Sequence, residues 1–112
     1  MRYLLNSAVI TAPGTYRYAH IDQVRAAQWY AEGPEPLSTI GYAETAAALA
    51  HILGRPIATD RRVIVMNAGD SALVFRLALP PGAARIDPRD KGRLGEEILA
   101  GHFELGLLER IA

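Results

Sequence analysis

No cysteine occurs anywhere in the chain, which removes disulfides, thiolate nucleophiles and cysteine-ligated zinc together and fits a reducing, cytoplasmic setting. Lysine is almost absent as well: arginine outnumbers it eleven to one. No stretch approaches the roughly 18 uninterrupted apolar residues that a membrane span needs, so no membrane partner is expected. Neither sign of charge is in surplus, since 12 basic residues stand against 12 acidic ones. A protein that coats long nucleic acid carries a broad basic excess, so that partner class is set aside. A compact anion held by a few local arginines stays compatible with neutrality. The nucleophile-elbow G-x-S-x-G, the Walker loop and the dinucleotide fingerprint are missing too.

What is present is 112 residues, half of them hydrophobic, enough for one core and one domain over residues 1–112. Burial is incomplete at this size, so an association surface would add stability. The opening MRYLLNSAVITAPGTY has one positive charge and a short apolar run broken by Asn6 and Ser7. It reads as a first strand, Tyr3 to Ile10, rather than a signal peptide. Tyr16 to His20 alternates aromatic with polar residues and is expected to return as the second strand of a hairpin. Asp22 suits the N-cap of a helix through Glu32, with Val24, Ala27, Gln28 and Ala31 on one face. Ala43 to Leu53 predicts a second helix stopped by Gly54, its buried stripe Ala46, Leu49, Ala50 and Leu53. Arg62 to Met66 and Ala72 to Leu77 read as strands joined by a four-residue hairpin connection. After a Pro-rich loop at 80–84 come a short helix, Leu94 to Gly101, and a last strand, Phe103 to Ile111. The order predicts an α/β (α+β) domain, a mixed, mostly antiparallel sheet flanked by helices.

Three segments stand out chemically. Asn6 and Ser7 interrupt an apolar strand, and a buried amide or hydroxyl costs stability unless bonded. They lie at a sheet edge or loop contact, or they face a ligand. Ser38-Thr39-Ile40-Gly41-Tyr42 precedes a helix, whose free N–H groups and partial positive charge suit phosphate. Ser38 or Thr39 equally suits a plain helix cap, while Gly41 permits close backbone approach. Arginines 61, 62 and 85 could meet phosphate through a bidentate fork. If 62–66 is a strand, Arg61 and Arg62 point to opposite faces and only one of them reaches a given site. His20, His51 and His102 share no ligand spacing and read as surface residues, and neither metal nor cofactor is implied.

Four segments taken in order, MRYLLNSAVITAPGTY, STIGYAETAAALAHILG, DRRVIVMNAGDSALVFRL and FELGLLERI, resemble a small virus-and-bacterial family that includes the viral anti-CRISPR ring nucleases. The resemblance spans almost the whole chain. It implies a homodimer that binds cyclic tetra-adenylate, the second messenger of type III CRISPR defence, across its two-fold axis. It further implies metal-independent cleavage to linear adenylates ending in 2′,3′-cyclic phosphate. A four-fold-repeating ring contains a two-fold, so an isologous dimer can offer it identical half-sites. Residue by residue, the family's N-S/A segment falls on Asn6 and Ser7, and its S-x-I-G motif on Ser38, Ile40 and Gly41, with Thr39 between. Its N/D-R pair falls on Asp60 and Arg61, which favours Arg61 as the phosphate contact.

The chain also departs from the pattern. Active viral relatives have a histidine directly after S-x-I-G, as general acid, where this chain has Tyr42. A tyrosine, with a reference pKa of roughly 10, releases its proton less readily than a histidinium, so chemistry is expected to be slow or absent. The family's second arginine and its glutamate are missing if the strand after Phe75-Arg76-Leu77 is aligned without a gap. With 80–84 as an inserted loop, Arg85 restores the arginine and Asp87 is the nearest acid. The expected catalytic set is therefore Tyr42, Arg85 and Asp87. A catalytically weak or inactive protein that only binds cyclic oligoadenylate is the alternative.

Overall fold

Five strands and two helices form among the residues that the computed structural model describes, 1–8, 10–78 and 101–112. In chain order they are β1 (Arg2–Leu5), β2 (Tyr16–Ile21), α1 (Gln23–Ala31), β3 (Leu37–Ser38), α2 (Ala43–Leu53), β4 (Ser71–Leu77) and β5 (Phe103–Arg110). The strands make one mixed sheet in the order β2-β5-β4-β1-β3. Strand β1 runs parallel to both of its neighbours, and β5 runs antiparallel to both of its own.

Alternate side chains of a strand point to opposite faces, and here that alternation builds two cores. Leu4, Leu73, Phe75, Leu105 and Leu107 pack with Ala26, Trp29, Leu49 and Leu53 of the two helices. Tyr3, Leu5, Ala72, Val74 and Leu108 form the second cluster with Met66 and the half-buried Ile64. Helices therefore cover one face, and an irregular segment covers part of the other. In β4, covered on both faces, Ala72 to Phe75 are all buried.

The two helices fall where the sequence predicts. The Asp22 carboxylate caps α1 by accepting the Arg25 N–H at 2.7 Å. The buried face differs from expectation: it is Ala26, Trp29 and Tyr30, whereas Val24, Gln28 and Ala31 are exposed. Two adjacent aromatics bury far more area than one valine and two alanines, and they set the helix rotation. The Arg2 guanidinium lies 4.0 Å from the Trp29 ring centre and donates to the carbonyls of Trp29 and Pro34. Helix α2 ends on Gly54 in the left-handed region at φ 68, and buries Thr45, Ala46, Leu49 and Leu53.

Three strand expectations need correction. Strand β1 stops at Leu5, so Asn6 and Ser7 lie just beyond it. Tyr16 to Ile21 does not return alongside β1 but pairs with β5 at the sheet's edge. Arg62 to Met66 is not a strand, and no hairpin joins it to β4. Both edges of β4 are already taken, by β1 and β5, which leaves 62–66 no place beside β4. The segment keeps a strand's alternation while lying over the face: Ile64 and Met66 turn in, and Val63 and Val65 turn out. The expected loop at 80–84, with Arg85 and Asp87 after it, and the expected helix starting at Leu94 lie outside the described residues.

Candidate functional site

Strands β1, β3 and β4 run in one direction, so their carboxyl ends leave the sheet on the same side. Parallel strands place their ligand crevices at such ends. Asn6 and Ser7 follow β1 there, Thr39 follows β3, and Gly41 and Tyr42 lead into α2. The ends of β1 and β3 are tied together, because the Leu4 carbonyl accepts both the Thr39 N–H at 3.0 Å and the Thr39 hydroxyl at 2.9 Å.

A second set of bonds brings the arginines in. The Ser38 hydroxyl donates to the Ala58 carbonyl at 2.7 Å and accepts the Ile40 N–H at 3.3 Å. The Asp60 N–H donates to the Ile40 carbonyl at 2.9 Å. Residues 58–60 are thereby fastened beside 38–40, and the next two residues arrive at the same place. Arg62 lines a cleft of about 190 Å³ with Asn6, Ser7, Thr11, Thr39 and Val63. It is ion-paired with Asp60. Among the described residues, neither the Asn6 amide nor the Ser7 hydroxyl makes a side-chain hydrogen bond, so both can serve a ligand. Arg61 turns to α2 instead: its guanidinium carbon lies 5.1 Å from the centre of the Tyr42 ring, within cation–π range. Tyr42 is the N-cap residue of α2 but gives no side-chain capping bond. First-turn N–H groups and the helix dipole put partial positive charge there.

The sequence-predicted residues separate into three groups. Asn6, Ser7 and Thr39 line the cleft, and Gly41, Tyr42 and Arg61 form the adjoining group. Ser38 and Ile40 turn inward. Ser38 is 7% exposed with its hydroxyl engaged, and Ile40 is fully buried in the helix-side core, so both support the site rather than line it. Arg85 and Asp87 lie outside the described residues. Sequence reasoning missed Thr11 and set Arg62 behind Arg61. Strand alternation admitted only one of the two arginines, and that argument lapses once 62–66 is not in the sheet.

A larger cleft, about 660 Å³, is walled by Leu4, Tyr30, Pro34, Pro36, Leu37 and Ile57 among others. Burial foremost, and then the Glu35 carboxylate, push the Tyr30 phenol above its ordinary pKa. Arg2 at this cleft is committed to main-chain carbonyls, which leaves the smaller cleft as the better place for an anion. Among the described residues no three His, Asp or Glu side chains gather closely enough to hold a metal ion.

Comparison with known proteins adds a family and a fold. The family model described as STIV B116-like matches residues 2–86. Among solved structures, the chain is similar to B116 of Sulfolobus turreted icosahedral virus, at 17% identity and a TM-score of 0.68. That match covers 97% of this chain and 98% of the other, and at such identity the likeness is one of fold. No curated protein matches the chain.

Proposed function

Because the chain belongs to the STIV B116-like family, we propose that the site at its strand ends takes cyclic tetra-adenylate, shared by two copies across a homodimer axis. The protein cleaves the ring slowly and without metal to linear adenylates with 2′,3′-cyclic phosphate ends, and so dampens type III CRISPR signalling. What supports this reading is the convergence of three segments far apart in sequence. Asn6, Ser7, Thr39 and Arg62 line one cleft, and Gly41, Tyr42 and Arg61 gather next to it at the start of α2.

The chemistry asks little of the protein beyond placement. A ribose 2′-hydroxyl gives its proton to water as its oxygen attacks the neighbouring phosphorus, the bond from phosphorus to the 5′-oxygen breaks, and the 2′,3′-cyclic phosphate forms. Holding these atoms in line supplies much of the rate. Asn6, Ser7 and Arg62 would hold the phosphodiester, and the Tyr42 phenol would give its proton to the departing 5′-oxygen. Purified protein incubated with cyclic tetra-adenylate in EDTA should yield linear product, resolved by chromatography. A ring left intact after long incubation with stoichiometric protein removes the enzyme reading.

A second reading has a specific observation in its favour, namely Tyr42 at the position where the active viral relatives have histidine. In that reading the dimer sequesters the messenger or reports its presence to a partner. Tyr42→Phe separates the two: it abolishes cleavage in the enzyme and leaves affinity unchanged in the binder. If calorimetry finds no heat with cyclic tri-, tetra- or hexa-adenylate, both readings go.

A further inference from the structure

We propose that the two adjacent arginines divide the work: Arg62 meets the phosphodiester, while Arg61 is a positioning residue that holds the Tyr42 ring at the start of α2, in a space that glycine at position 41 leaves open. The proposal rests on the ligand reading above and departs from the family pattern, which puts Arg61 on the phosphate.

Gly41 carries the first half. A Cβ built on it would lie 2.9 Å from Nε of Arg61, closer than real contacts come, and 3.2 Å from its Cβ, tighter than most. A side chain at 41 would make the arginine arm shift, so the bare backbone leaves room for the arm in the position where its guanidinium lies 5.1 Å from the Tyr42 ring. A guanidinium set over a ring in this way is attracted by the ring's electron-rich face, and it fixes the ring as well as the arm. Arg61 cannot hold Tyr42 and also swing to the cleft beyond Thr39.

The cleft carries the second half. Arg62, not Arg61, lines it with Asn6, Ser7 and Thr39. The partner of Arg62 is Asp60, and both side chains are partly open to water, at 44% and 40% exposure. An exposed ion pair of this kind is weak, so Asp60 keeps the arm near the cleft without committing it. A phosphodiester can then take the fork through two charge-assisted hydrogen bonds. Asp60 is itself anchored through its N–H to the Ile40 carbonyl, which sets the arm's origin relative to β3.

The test needs Arg61→Ala, Arg62→Ala, Gly41→Ala and the wild type, with two readouts. Without ligand, NMR of ring-labelled tyrosine should find the Tyr42 resonances moved in Arg61→Ala and Gly41→Ala and unmoved in Arg62→Ala. With cyclic tetra-adenylate, calorimetry should find Kd raised at least tenfold in Arg62→Ala and less than threefold in Arg61→Ala. Unmoved Tyr42 resonances in Arg61→Ala overturn the positioning role. A greater loss of affinity in Arg61→Ala than in Arg62→Ala overturns the division of work. If the wild type binds no cyclic oligoadenylate, the proposed function falls and takes the Arg62 role with it. The ring resonances still decide the Arg61 contact in that case.

Discussion

Gly54 ends α2 with φ 68, and nothing lies within 4 Å of where its Cβ would sit. Gly54→Ala therefore isolates the conformational cost of a left-handed residue, with no steric term added. We expect a loss of about 1–2 kcal/mol, read as a lower urea midpoint at unchanged slope. Gly106 in β5 makes the contrasting case. Its backbone is ordinary, but a Cβ there would collide with the Tyr18 ring, so a side chain at 106 would displace a neighbour two strand positions from its own partner His20. The stop glycine was legible, because it follows an apolar helical stripe. Gly106 was not, because nothing local to FELGLLERI says which ring will lie across it. At the site the same distinction holds: Asn6 and Ser7 announced themselves by breaking an apolar run, whereas Ser38 and Ile40 matched a motif and turned inward.

At the scale of an element, the instructive piece is 62–66. Its composition is that of a strand and its burial alternates like one, yet it pairs with no strand among the described residues. β-branched residues fit a pleated, half-buried surface rather than encode a ladder, and here the surface is the face of the sheet. Met66→Ala should cost about 2–5 kcal/mol, since Met66 is 3% exposed within the second core. Val63→Thr should change stability by less than about 0.5 kcal/mol, since Val63 is 87% exposed. Thermal and urea unfolding of the two variants side by side checks both. Equal losses would mean that the segment buries both of its sides. The α1 face teaches a related lesson: the pattern identified the helix, and the bulk of Trp29 and Tyr30 decided its rotation.

For the molecule as a whole, the buried Asp70 links the chain start to the turn before β4. Its carboxylate accepts the Met1 ammonium at 2.8 Å and the Asn67 N–H at 2.8 Å. Burial alone would raise its pKa, but these hydrogen bonds, with the Met1 and Arg110 charges, outweigh it and hold the group below the ordinary aspartate range. A carboxylate lowered by folding contributes stability above its unfolded value, and that contribution disappears as pH falls through the folded one. Urea midpoints measured between pH 7 and pH 3 should fall for the wild type, and Asp70→Asn should be less stable at neutral pH with a flatter profile. Parallel profiles would mean that Asp70 carries none of the acid sensitivity. The proposed homodimer belongs at this scale too: analytical ultracentrifugation should give twice the chain mass at micromolar concentration, and a monomer there would leave the two-fold ligand site without its second half.

Local patterns alone determined both helices, the Asp22 cap of α1 and the Gly54 stop of α2, the two long strands β4 and β5, the mixed α+β class and the three segments worth watching. Each rests on periodicity or capping chemistry that acts within a few residues. By contrast, α2 starts at Tyr42 rather than at a Ser38 or Thr39 cap. The tertiary structure decided which strand lies beside which, that 62–66 is excluded from the sheet, and that Arg62 rather than Arg61 lines the cleft. Those outcomes follow from competition for the two edges of β4, and such competition is settled between residues distant in sequence, where no local pattern reaches.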